Sequence, residues 1–97
     1  MNWYFHPAAR TELYEAVEYY DLLETGLGYR FLLAFETAIE DVLAYPSAWS
    51  EVSPGIRRCL IPHFAFGILY RLTDTVEIQV LAVANLRRKP DFWQPRI

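Results

Sequence analysis

Apolar residues recur every three or four positions in the first half of the chain and every second position in the later half. This change of period predicts a helical part followed by strands. In "HPAARTELYEAVEYYDLLE", Ala9, Leu13, Ala16, Val17 and Tyr20 share one face of a helix. Pro7 suits the first helical turn, where its missing N–H is not needed. Glu12, Glu15 and Glu18 are assigned to a solvated face off that stripe. "TGLG" interrupts the pattern, with Gly26 expected to end the helix. Phe31, Phe35, Ala38, Ile39 and Val42 then repeat at helical spacing, joined by Leu32 and Leu43. Pro46 stops this second helix, because the residue before a proline is pushed out of the helical region. A link this short folds the two helices back as an antiparallel hairpin.

Strand signals lie on either side of the hairpin. The aromatic "NWYF" predicts a short first strand, and "PSAWSEVSPG" a loop rich in turn formers. In "IRRCLI", Arg57, Cys59 and Ile61 alternate with Arg58 and Leu60. "FGILYRL" puts Phe66, Ile68, Tyr70 and Leu72 on one face, and Thr73-Asp74-Thr75 makes a tight turn. "VEIQVLAVA" places Val76, Ile78, Val80 and Ala82 together, with Glu77 and Gln79 opposite. Leu81 and Val83 make the far end of that second face apolar, so something should cover it. The expected architecture is α+β, a single domain over residues 1–97. A short N-terminal strand and an antiparallel helical hairpin precede a three-strand C-terminal meander. The hairpin packs on one face of a mostly antiparallel sheet. Arg58 and Arg71 point toward the opposite, partly free face.

Composition supports a well-filled core, with 54% hydrophobic and 16% aromatic residues. The single cysteine, Cys59, has no intramolecular partner, reads as a buried small apolar residue, and argues for a reducing, cytoplasmic setting. No apolar run approaches the roughly 18 residues of a membrane span. The N-terminus lacks the basic and then apolar pattern of a secretion signal. Neither a metal ion nor a cofactor is expected.

Charge changes the picture more. The net charge is −3, yet residues 1–51 carry nine acids against Arg10 and Arg30, a net −7. Residues 52–97 carry seven bases against Asp74, Glu77 and Asp91, a net +4. Four of those bases fall in "NLRRKPDFWQPR". The split allows the C-terminal half an anionic partner that the overall charge would have disfavoured.

Four stretches, taken in order and spacing, resemble the RelE/ParE superfamily of toxins from type II toxin–antitoxin systems, its ParE-like branch in particular. They are "FHPAARTELYEAVEYY", "GYRFLLAFETAIEDVLAYP", "GIRRCLIPHFAFGILYRL" and "VLAVANLRRKPDFWQPR", which together span nearly the whole chain. The resemblance implies a compact toxin held in a hetero-oligomeric complex by a cognate antitoxin, whose C-terminal segment wraps it. RelE-like members cut mRNA in the ribosomal A site. ParE-like members poison DNA gyrase without a covalent reaction of their own.

The residues favour the second branch. RNA cleavage needs proton-transfer groups and stabilisation of a developing phosphorane charge. This chain has one lysine, Lys89, and carries Asn85 where many members have a histidine. Asparagine does not shuttle protons at neutral pH. His6 and His63 read as capping or turn residues. What remains is a set of arginines, Arg58, Arg71, Arg87, Arg88 and Arg96, better suited to bidentate binding than to proton transfer. With Trp93 they form the expected target-binding set, although Arg87 and Arg88 have an alternative as partners of the chain's own helical acids. Phe92 and Trp93 also read as folding back over apolar surface. The expected function is gyrase inhibition by binding. The alternatives are an mRNA endoribonuclease in which Arg58, Arg71 and Arg87 stabilise the phosphate, and an inactive module that only binds antitoxin. Tyr14, Tyr19, Tyr20 and Trp49 exceed what one small core hides and are expected at the antitoxin contact.

Overall fold

A computed structural model describes residues 1–89 and 91–97; Pro90, the first residue of the "PDFW" stretch, lies outside the described residues. In chain order the elements are β1 (Trp3–Phe5), α1 (Pro7–Leu23), α2 (Leu27–Ala44), β2 (Glu51–Ser53), β3 (Ile56–Leu60), β4 (Phe66–Leu72) and β5 (Ile78–Asn85), then a closing 3-10 turn (Gln94–Arg96). The sheet runs β1-β5-β4-β3-β2. β1 lies parallel to β5 and every other pairing is antiparallel. The expected α+β layout holds. One strand is additional: β2 forms inside the stretch read as a loop. The turn formers there do make a turn, with Gly55 at φ 77°, but Ser53 and Ile56 on either side of it pair.

Local chemistry sets the helix ends. His6 Nδ1 accepts the Ala8 N–H at 3.1 Å, capping α1 as Pro7 begins it. Gly26 does not end α1, which closes at Leu23 with Glu24 as its cap. It stands instead at the start of α2, in the left-handed region at φ 89°. The Asp21 carboxylate accepts from Gly26 N at 2.9 Å and Gly28 N at 3.3 Å, closing the hairpin turn. A Cβ at Gly28 would collide with the Val17 carbonyl, so the two helices touch backbone to backbone there.

Two apolar clusters sandwich the sheet. The larger lies under the hairpin, where Phe31, Phe35, Ala38 and Val42 meet Cys59, Ile68, Tyr70, Ile78, Val80 and Val83. Tyr70 keeps its hydroxyl satisfied inside this core by donating to the Pro46 carbonyl at 2.7 Å. The smaller cluster, on the opposite face, contains Ile56, Leu69, Leu81, Ala82, Ala84 and Trp93.

The strict alternation expected of β5 fails at one point. Leu69 pairs with Ala82 while Tyr70 pairs with Val80, so Leu81 is an extra residue, a β-bulge. The bulge reverses the phase. Ala82 moves to the face away from the helices, and Val83 moves beneath them. Val76 is likewise not a strand residue. It sits exposed in the preceding turn at φ 58°.

Candidate functional site

After β5 the chain turns sharply. The Asn85 side chain accepts the Arg87 N–H at 2.9 Å, and its carbonyl accepts the Arg88 N–H at 3.0 Å. Asn85 is therefore a turn cap. The segment that follows returns across the second sheet face. Trp93 is 2% exposed among Ile56, Leu69, Leu81, Ala82 and Ala84. The apolar end of that face is covered by the chain's own C-terminal residues, and after the bulge it is made by Leu81, Ala82 and Ala84 rather than by Leu81 and Val83.

Glu12 ties this segment to the body. It was assigned to the solvated side of α1, but it is only 9% exposed. Oε1 accepts from Val83 N at 3.1 Å and from Arg96 at 2.8 Å. Oε2 accepts from Arg88 at 2.9 Å and from Arg96 at 3.0 Å. Arg96 also donates to the Leu81 carbonyl, at the bulge, at 2.9 Å. The Phe92 ring centroid lies 3.8 Å from the guanidinium of Arg88 and 5.1 Å from that of Arg96. The signal for Glu12 was its spacing, three residues after Ala9 and four before Ala16, which puts it on the core stripe. Its charge argued for solvent, and two arginines distant in sequence overrode that.

These contacts revise the expected target-binding set. Trp93 is a core residue. The Arg96 side chain is 14% exposed and committed to Glu12 and Leu81. Neither presents a surface to a partner. Arg88 is 50% exposed, so it serves Glu12 with one nitrogen and keeps other donors outward. Arg58 faces the same side as Leu69, its register partner, with its stem lying across Gly67. Arg58, Arg88 and Lys89 line a hollow of about 140 Å³ together with Asn85, Phe92 and Trp93. Arg87 is exposed in the adjoining turn. Arg71 lies apart from this group. It donates to Gln79 at 2.9 Å and lines a separate hollow with Tyr4, Thr73 and Thr75. The expected line of five arginines is thus a cluster around the Asn85 turn, one isolated arginine and one structural arginine.

The aromatic set also divides. Tyr14 and Tyr19 are exposed on α1. Tyr20 is partly buried, packed against Phe31, Phe64 and Phe66 with ring centroids 4.9–5.9 Å away. Trp49 is partly buried at an apolar groove of about 460 Å³ between α2 and β3, which Ala34, Ala38, Leu60 and Phe64 also line. Cys59 sits at the floor of that groove. Burial, with the nearby Asp41 charge, pushes its thiol up to about 11, which keeps it protonated and unreactive at neutral pH. His63 occupies a left-handed turn at φ 71°, and His6 is the helix cap. Among the described residues no three metal-ligating side chains gather. No helix there is long and apolar enough to cross a membrane.

Comparison with known proteins adds to this geometry. A family model described as "ParE toxin of type II toxin-antitoxin system, parDE" matches residues 4–90. The fold is similar to that of a solved structure described as "Chromosomal ParDE TA system from P. aeruginosa". The TM-score is 0.65 at 20% identity, over 88% of this chain and 95% of that one. None of the curated proteins matches the chain.

Proposed function

The chain belongs to the ParE toxin family of type II toxin–antitoxin systems, and from that premise we propose that it arrests growth by binding DNA gyrase in the cytoplasm and is neutralised by a cognate antitoxin. The observation that carries this reading is how the polar residues around the Asn85 turn are used. Arg58, Arg87, Arg88 and Lys89 offer cationic donors on or beside one face. Neither histidine lines the hollow with these cations: His6 caps α1, and His63 stands in the turn after β3 and borders the groove between α2 and β3. Asn85 holds the backbone beneath the cations. Such a surface suits docking against an anionic or carboxylate-bearing target.

The antitoxin reading rests on the aromatics of α1 and of the groove between α2 and β3, two of which border the cations, Tyr19 beside Arg88 and Trp49 beside Arg58. Tyr14 and Tyr19 stand exposed on α1, and Trp49 borders the apolar groove between α2 and β3. An amphipathic antitoxin segment laid into such a groove would bury its apolar face there.

Purified protein tests the proposal. Inhibition of gyrase supercoiling, with accumulation of cleaved DNA, is the expected result. Message cleavage dependent on the ribosomal A site would replace this reading with the endoribonuclease. Neither effect, with tight antitoxin binding retained, would leave a module that only binds antitoxin.

A further inference from the structure

We propose that Glu12 is the positioning residue of the cation-bearing face: it holds Arg88 in place and pins the C-terminal arm that follows Asn85. The assignment rests on the reading that this face meets the target. Glu12 itself is buried, and its carboxylate is taken up by donors of this chain. It acts through the residues it holds.

The geometry is that of a clamp with one jaw on a rigid helix. Glu12 lies within α1, among the core residues Ala9, Leu13 and Ala16. Its carboxylate takes one backbone N–H from β5 and three donors from the arm, so a single side chain joins helix, sheet and arm. Arg96 makes the deep contact and reaches on to the Leu81 carbonyl. Arg88 makes the outer contact, and it alone of the two arginines also lines the hollow with Arg58 and Lys89. One carboxylate faces two guanidinium groups, so Arg88 keeps cationic character and free donors while its position is fixed. Glu12 and Arg96, the buried members of this network, are each strongly penalised without the other, which holds the pair in one geometry. Trp93 supplies the arm's apolar contact, and Phe92 stacks 3.8 Å from the Arg88 guanidinium, but that ring belongs to the same arm as Arg88. The restraint that ties Arg88 to the helix is the one from Glu12.

The test uses the full chain and the variants Glu12→Gln, Arg96→Gln and Arg96→Lys. Glu12→Gln keeps an acceptor for Val83 N and nearly the same volume while removing the charge. Amide exchange reads the arm. In the two glutamine variants the amides of residues 91–97 should exchange at least about tenfold faster, while those of α2 and β4 keep their protection. Growth inhibition on induction should fall by at least about tenfold, the effect of misplacing one charge-assisted contact. Arg96→Lys should retain more inhibition than Arg96→Gln.

An arm as protected as in the wild type would overturn the assignment. So would a loosened arm with undiminished growth inhibition. Loss of protection throughout the body in both Arg96→Gln and Glu12→Gln would make the network a core element, and that also overturns it. Growth inhibition is read independently of the target. If the wild type arrests growth without affecting gyrase, the proposed function fails and the Glu12 assignment is still decided by these measurements. If gyrase is inhibited equally by the wild type and by variants with a loose arm, the assignment fails and the proposed function stands.

Discussion

The carboxylate of Glu12 and the guanidinium of Arg96 stand 84 positions apart in the chain and meet at two points, 2.8 and 3.0 Å. The contact joins distant parts of the fold, because the first helix and the 3-10 turn after β5 share one buried charge. Replacing Glu12 with alanine strands Arg96, whose side chain is mostly buried, and leaves Val83 N without its acceptor. The expected loss is about 3 kcal/mol, near the lower end for breaking a buried pair, because undocking of the arm limits it. Urea unfolding measures it. A loss under about 1 kcal/mol would be that of an exposed ion pair and would contradict the burial seen here.

Trp93 should behave as a core residue. Truncation to alanine removes a buried indole from the second sheet face and is expected to cost about 3–5 kcal/mol. Tyr29→Ala, at an exposed aromatic of α2, should change stability by less than about 0.5 kcal/mol. Comparable losses in parallel denaturation curves would show that the arm does not pack as described.

Gly28 and Gly26 are predicted to differ in kind. A methyl group at Gly28 meets the Val17 carbonyl and lies 2.9 Å from Asp21 Cβ, so Gly28→Ala must push the helices apart. The expected cost is about 2 kcal/mol or more, typical of overpacking. Gly26→Ala meets open space and suffers only from its left-handed backbone, about 1 kcal/mol. Thermal melts should rank Gly28→Ala as the less stable variant.

Alkaline pH should destabilise the fold in a defined window. Burial raises the Cys59 thiol from 9.0 to about 11. Burial likewise raises the Tyr70 hydroxyl from 10.0 to about 12, against a partial lowering by Arg57. For both groups the folded state holds its proton more tightly than the unfolded state. Their contribution is therefore complete below pH 9 and is lost as pH rises toward 12. The Cys59 part of the loss is on the order of 2–3 kcal/mol, and Cys59→Ala should flatten the fall between pH 9 and 11. Stability that stays level through that window in the wild type would contradict the buried, protonated thiol.

The two candidate surfaces should separate by mutation. Neutralising Arg58, Arg87 and Lys89 together is expected to reduce growth inhibition at least about tenfold while costing antitoxin affinity far less, because the expected antitoxin anchors are apolar and aromatic rather than cationic. Tyr14→Ala with Trp49→Ala should do the reverse. Those two changes should weaken the complex by about 1 kcal/mol or more each and leave gyrase inhibition in place. Calorimetric titration with the antitoxin, beside growth curves, reads both arms. A triple cation variant that stays fully toxic would remove the face around the Asn85 turn from consideration.

Much of the architecture was legible in the chain itself. The repeat through Phe31, Phe35, Ala38 and Val42 and the alternation through Phe66, Ile68 and Tyr70 are local patterns, and each produced the element it predicted. His6-Pro7 opened α1 for reasons contained in two residues. The β2 strand was missed because three residues flanking a turn carry little periodic signal. The bulge at Leu81 was missed because alternation by itself does not reveal where one extra residue is inserted.

The surface was read less well than the core, and the reason is physical. Sequence determined how many cations the C-terminal half carries, which segment holds most of them, and that an asparagine, Asn85, stands just before them. Only the tertiary structure decided which of those cations are free. An ion pair forms wherever folding brings opposite charges together, whatever their separation along the chain. Glu12 therefore claimed Arg96 and half of Arg88, while Arg58, Arg87 and Lys89 were left to face outward. Periodicity is a local property of a helix or strand, so the sequence displays it. Charge compensation belongs to the assembled fold and becomes visible only there.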